Sequence, residues 1–188
     1  CKYNYNNYKN NSTNNYASHS FTHILKTNYR YIKLFNLNNH MSPLKNYIPL
    51  NSKQVKEIHK KLKDQFEFLE KLDYVFFQKK DKIYIISKDL KKIDANNLKI
   101  NSIGLYIIKI EKPGLRLSIE GSQIIGPRSK KNILELDNPE EWLKGNDLDL
   151  NKKLGPIVII KYKKDFLGSG ICSKGKVINF IPKSRRVK

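Results

Sequence analysis

The chain has 188 residues, with 37 Lys and Arg against 17 Asp and Glu, for a formal charge of +20. That balance excludes a neutral surface and favours polyanionic partners, while 39% hydrophobic and 11% aromatic content is enough to bury a core and excludes a wholly disordered chain. Apolar runs such as Ile157 to Ile160 fall far short of the roughly 20 residues of a bilayer-spanning helix, and Cys1 and Cys172 are too few for a disulfide framework or a four-thiolate zinc site, which points to a reducing compartment.

From Cys1 to His40 the sequence is rich in Asn and Tyr and contains no Asp or Glu. With few aliphatic side chains to offset ordering entropy, it reads as a basic leader, disordered or not native, with Met41 as the true start. Next, Asn51 and Gln54 have capping-box spacing, and Val55, Ile58, Leu62, Phe66, Leu69 and Leu72 recur at helical spacing. This predicts one amphipathic helix, Ser52 to Leu72. Tyr74 to Gln78 and Lys82 to Ser87, joined by Lys79-Lys80-Asp81, predict a hairpin. A helical turn over Lys88 to Ile93 and a strand over Leu98 to Ile110 complete a small α/β unit.

After Lys112-Pro113-Gly114 the chain turns, and Leu115 to Gly126 reads as a strand running into a short helix. Asn132 to Asp137 is a further strand. Asn138 to Gly145 begins with an Asn cap and a proline, then has two acids, a terminal lysine and a stopping glycine, the signals of a one- or two-turn helix. Ile157 to Tyr162, Phe166 to Ser173 and Lys176 to Ile181 form a β-meander. The fold class is therefore α+β, with a leader over 1–40, an α/β domain over 41–100 and a mostly β domain over 101–188.

Little here resembles an enzyme. Neither of the common glycine-rich nucleotide loops occurs, and Gly168-Ser169-Gly170 inside a strand reads as a bulge or close backbone packing. Three of the four histidines, His19, His23 and His40, lie in the leader, and His59 reads as a surface residue of the helix. Ser118, Ser122 and Ser169 have no histidine to activate them, and Cys172 reads as an inert small hydrophobe. No catalytic residue, metal or cofactor is expected. Cations dominate instead: from Lys152 to Lys188 the only acid is Asp165, and Arg185-Arg186 stands out in a chain poor in arginine. Arginine's planar fork suits phosphates and base edges.

Gly114 to Ser122, Gly155 to Ile160 and Phe166 to Ile171 are similar in order and spacing to a PUA domain, an RNA-binding pseudobarrel. The Pro-Leu opening before the first helix, Lys82 to Ser87, and Ser102 to Tyr106 resemble the pre-PUA domain of the Nip-seven family of ribosome-biogenesis factors. Asn179 to Arg186 resembles the C-terminal RNA-binding extension of archaeal Sun/Fmu ribosomal RNA methyltransferases and their stand-alone relatives, without the methyltransferase's catalytic cysteine loop or cofactor-binding glycines. These resemblances imply a small α/β pre-PUA domain followed by a PUA pseudobarrel. They also imply a small adaptor that binds ribosomal or other structured RNA and works with ribosome-assembly proteins. A monomer is expected, and no membrane binding, since no basic amphipathic helix accompanies the cations. Its compartment would be the cytoplasm, or the nucleolus in a eukaryote.

With the cation density, the PUA resemblance nominates Arg116, Lys161, Lys163, Lys164, Lys183, Arg185, Arg186 and Lys188 as the RNA-binding residues. Phe180 and Tyr162 could stack on bases, but their strand patterns read as core. Two alternatives stand beside this reading. One is a protein-interaction adaptor in ribosome assembly, using the runs Tyr74 to Phe77 and Leu105 to Ile110, which are apolar on both faces. The other is an RNA-targeting subunit acting in trans with a ribosomal RNA methyltransferase.

Overall fold

The computed structural model describes residues 46–89, 102 and 104–188. The 1–40 leader, the start of the strand expected from Leu98 and most of the turn expected over Lys88 to Ile93 lie outside the described residues. Among the described residues are two sheets, three α-helices and two short 3-10 helices. The first sheet is antiparallel, in the order β1 (Ile48–Pro49), β2 (Val75–Lys79), β3 (Lys82–Ile86), β4 (Leu105–Glu111), β5 (Gly114–Leu117). The second has the order β6 (Ile133–Glu135), β8 (Ile157–Tyr162), β9 (Asp165–Ser173), β10 (Lys176–Ile178), β7 (Leu148–Asp149), with β6 parallel to β8. The sequence draws a boundary at residue 100, whereas sheet pairing continues past it, because β4 hydrogen-bonds to β3 and carries β5 with it.

Helix α1 (Ser52–Phe66) begins as expected, with the Asn51 side chain accepting from the Gln54 N–H at 3.0 Å and the Gln54 side chain accepting from the Asn51 N–H at 2.9 Å. It ends well before Leu72. Glu67 is left-handed at φ 53°, and donors from a distant loop hold the last carbonyls: the Lys130 and Lys131 N–H groups reach Phe66 O at 3.0 and 3.1 Å, and Asn132 Nδ2 reaches Gln65 O at 2.6 Å. Beyond that stop Phe68 and Leu72 still enter the core, but Leu69 is 63% exposed, so helical spacing fails where the helix does.

One core serves both sheets: Ile58, Leu62 and Phe66 of α1 meet Ile83, Ile108 and Leu117 of the first sheet and Ile157 and Ile159 of β8. The alternate β8 residues, Val158 and Ile160, face a second cluster with Trp142, Val177 and Ile181. Burial on both faces accounts for the uninterrupted apolar run of β8. The runs nominated as a protein-docking surface have the same explanation, since Val75, Phe76, Phe77, Ile107 and Ile108 are buried and only the end residues Tyr74 and Leu105 are exposed.

Helix α2 (Ile119–Ile125) wedges between the sheets. A Cβ on Gly121 would lie 2.0 Å from the Ile107 carbonyl oxygen, so only glycine permits this approach. The Gly-Ser-Gly element of β9 packs closely, as its sequence suggested: Ser169 Oγ accepts from the Leu117 N–H at 2.8 Å and donates to the Leu117 carbonyl at 2.9 Å, tying the sheets together.

His59 is not a simple surface residue. Its Nε2 is buried with no partner among the described residues, and its ring lies edge-on to Phe76 with centroids 6.0 Å apart. Burial lowers its pKa below the ordinary 6.5, overriding a hydrogen bond with the Glu70 backbone that raises it. As pH falls through 6.5 the unfolded chain therefore takes up the proton first, and stability present at higher pH is lost. The urea midpoint is expected to fall between about pH 7.5 and about pH 5.5, and to fall less in His59→Leu.

Candidate nucleic-acid interface

The C-terminal segment leaves β10 at Asn179, a branching point of hydrogen bonds. Its side chain donates to the Trp142 and Asn146 carbonyls at 2.7 and 3.1 Å and accepts from the Ile181 N–H at 2.7 Å. Trp142 belongs to helix α3 (Glu140–Lys144), which forms where the sequence placed it: Asn138 Oδ1 accepts from the Glu140 N–H at 2.9 Å, and Gly145 closes it at φ +91°. The tail then crosses α3, with the Val187 N–H on the Leu143 carbonyl at 3.1 Å.

Between this tail, β5 and the start of α2 lies a cleft of about 310 Å³, lined by Tyr106, Arg116, Ile119, Glu120, Trp142, Gly168, Phe180, Pro182 and Arg185 among others. Ser118 shapes its edge, its hydroxyl donating to the Tyr106 carbonyl at 2.7 Å and accepting from the Gly121 N–H at 2.9 Å. The Arg116 guanidinium lies over the Phe180 ring, 4.1 Å from its centroid, while its Nε donates to Glu111 at 3.2 Å. Arg185 donates to the Glu120 carboxylate across the mouth. Burial pushes the Glu120 pKa up, but hydrogen bonds from its own backbone and from Arg185 outweigh that and hold it below the usual value. Burial raises the Tyr106 hydroxyl against the opposing charges of Arg116 and Lys109. An apolar floor with a stacked guanidinium and a second arginine at the rim can hold a planar, anionic ligand such as an unpaired nucleotide.

The nominated residues do not form one patch. Arg116 and Arg185 meet at the cleft. Lys183 and Lys188 are exposed on the same tail and make no ion pair among the described residues. Arg186 is docked, its Nε donating to the Ile181 carbonyl at 3.1 Å and its side chain lying where a Cβ on Gly145 would be, 2.2 Å away. Lys161 pairs with Glu135 at 3.0 Å on the β6–β8 edge. Lys163 and Lys164 form the exposed β8–β9 turn, outside the cleft lining, with Lys163 Nζ 5.0 Å from the Tyr162 ring centroid.

Phe180 is not core: it is 36% exposed and faces the cleft. The strand ends at Ile178 because the Asn179 side chain turns the backbone, so the alternation expected through Ile181 stops at that residue. Asn179 and Pro182 are the signals in the sequence that mark this stop. Tyr106 and Glu120 carry none, since only the β4–β5–α2 turn brings them to the tail. Cys172 is free and half-buried, and burial raises its thiol pKa, consistent with an unreactive side chain.

Residues 131–187 match the family model of the PUA domain of the methyltransferase RsmF. No curated protein matches the chain. The match begins just before β6 and runs to the end of the docked tail, so it takes in Arg185 and Phe180 and leaves out Arg116 and Tyr106 on the first sheet. The protein is thus an α+β chain with a C-terminal PUA domain, related to the C-termini of Sun/Fmu-type methyltransferases. The PUA domain is an RNA-binding module.

Proposed function

We propose that this protein is a non-catalytic RNA-binding factor of ribosome biogenesis, of the Nip-seven type, that holds ribosomal RNA at the cleft between its PUA domain and the first sheet. The observation that carries the reading is the pairing of Arg116 on Phe180 with Arg185 across an apolar cleft, at the edge of the region that matches a PUA domain. An unpaired base enters the cleft, and Lys183, Arg185 and Lys188 neutralise the adjoining phosphates. Most of the affinity is then electrostatic and most of the selectivity is for unstacked, single-stranded sites. An antiparallel sheet and a helix precede the matched region, in the order a pre-PUA domain would take, and this supports the Nip-seven reading, with the cytoplasm as its place of action in a cell without a nucleolus.

The test is equilibrium binding of the full chain to ribosomal RNA fragments across a salt series, beside a Lys183→Ala, Arg185→Ala, Lys188→Ala triple variant. For single strands the slope of log K against log salt should become shallower by roughly 0.7 for each phosphate that the variant no longer neutralises. An unchanged slope removes the tail from the interface. The match to a methyltransferase's PUA domain favours one second reading, an RNA-targeting subunit acting in trans with a ribosomal RNA methyltransferase. Faster methyl transfer on adding this chain to such an enzyme would support it.

A further inference from the structure

The outward face of the first sheet carries an aromatic row beside a cationic row. Across β3 and β4, Tyr84 stands directly opposite Tyr106, with ring centroids 5.7 Å apart, and Tyr47 backs Tyr84 edge-on at 5.0 Å. Two residues along the same face, Lys82 stands opposite Lys109, which in turn stands opposite Arg116 on β5. Like charges directly opposed on a sheet are destabilising. Glu111 offsets part of this by pairing with Lys109 at 2.8 Å and Arg116 at 3.2 Å, and Asp81 lies 3.5 Å from Lys109. Lys79 and Lys82 have no carboxylate partner among the described residues. Each rests instead on a tyrosine ring, Lys79 Nζ 4.5 Å from the Tyr47 centroid and Lys82 Nζ 5.2 Å from that of Tyr106.

We infer that this face is a stacking platform for single-stranded RNA, continuing the path of the strand held in the cleft. The inference rests on the RNA-binding reading above. Tyr106 and Arg116 belong to both surfaces, so a chain leaving the cleft meets the platform without a gap. Half-buried Tyr84 and Tyr106 offer bases a π-face without regard to sequence, and on β3 two residues, about 6.8 Å, separate Tyr84 from Lys82, while the bulge sets Lys109 three positions from Tyr106 on β4, allowing one nucleotide to reach both rows. A base arriving on Tyr106 displaces the Lys82 ammonium from the ring, and the freed ammonium takes the phosphate. The cation on the aromatic face is thus a resting position that RNA converts into a phosphate contact. The occupant is single-stranded: a rigid duplex presents its bases stacked inside and cannot lay them on a sheet face.

The experiment compares oligouridylates of about four and about twelve nucleotides, within the range of single-strand site sizes, on the full chain and on Tyr84→Leu and Lys82→Gln, neither of which lines the cleft. Emission from Trp142, the sole tryptophan, reports cleft occupancy, and photocrosslinking of 4-thiouridine oligonucleotides with peptide mapping reports the platform. The longer oligonucleotide should bind the parent more tightly and crosslink at Tyr84 or Tyr106. Each variant should lose about tenfold of that gain while binding the short one as the parent does. If length brings no gain, or both variants keep it, the platform is overturned and the cleft reading stands. If neither oligonucleotide binds, both readings fail together. Unchanged thermal unfolding of Lys82→Gln keeps the result independent of any loss of folding in Tyr84→Leu.

Discussion

Trp142→Ala is expected to lower the unfolding free energy by about 3–5 kcal/mol, the cost of emptying a large aromatic site in a core. The side chain is fully buried against Val158, Ile160, Val177 and Ile181, and its indole N–H donates to the Leu167 carbonyl at 2.9 Å. Gly170 lies so close that a Cβ there would stand 3.1 Å from the indole ring, so the opposing strand has no side chain with which to fill the gap. Alanine would leave a void and remove the indole donor from the part-buried Leu167 carbonyl. Trp142→Phe keeps most of the apolar volume and should cost much less, chiefly the missing hydrogen bond, on the order of 1–2 kcal/mol. Urea unfolding of the three proteins measures the difference. In a fold worth about 5–15 kcal/mol in total, the alanine variant gives up a large share of its stability. It should also lose RNA affinity, because the indole packs in one cluster with Ile181 of the tail and lines the cleft into which that tail carries Phe180 and Arg185. A Trp142→Ala protein as stable as the parent would mean that the second cluster repacks without the indole.

The parts of this molecule legible in the sequence are those set by near neighbours. The Asn51–Gln54 capping box and the α3 signals from Asn138 to Gly145 form where local chemistry places them, and the hairpin turn forms one residue tighter than expected, at Lys80-Asp81, with Lys79 paired to Lys82. The end of α1 does not, because its stop depends on Lys130, Lys131 and Asn132, whose approach no local pattern encodes. The site divides along the same line. Arg185 stands out as one of a pair of arginines in a lysine-rich chain, but Glu120, which orients it, lies 65 residues away. Arg186, its equal in sequence, is spent on packing over Gly145. Two adjacent arginines thus have different roles, which only the path of the tail distinguishes. Phe180 departs from its pattern for a similar reason: period-two alternation predicts burial only while the strand lasts, and Asn179 ends it.

Arg116 allows charge and shape to be separated. Its guanidinium is planar, lies over Phe180 and is mostly buried, with Glu111 as its hydrogen-bond partner. Arg116→Lys keeps one positive charge beside Glu111 but loses the flat surface, so RNA affinity is expected to fall about tenfold while the slope of log K against log salt stays the same. Arg116→Ala removes the charge as well. It should weaken binding by roughly a hundredfold, within the span of about 1–3 kcal/mol for a missing stacking partner together with a missing phosphate partner, and flatten the salt slope. Phe180→Ala removes the other half of the stack, and because the two groups act as one surface, the Arg116→Ala, Phe180→Ala double variant should lose less than the sum of the singles. Equilibrium titration of the variants beside the parent at two salt concentrations yields both the coupling and the slope. If Arg116→Lys binds as tightly as the parent, the cleft senses charge alone. The stacked guanidinium would then serve only to brace Phe180, and base insertion would have to be abandoned in favour of phosphate neutralisation along the tail.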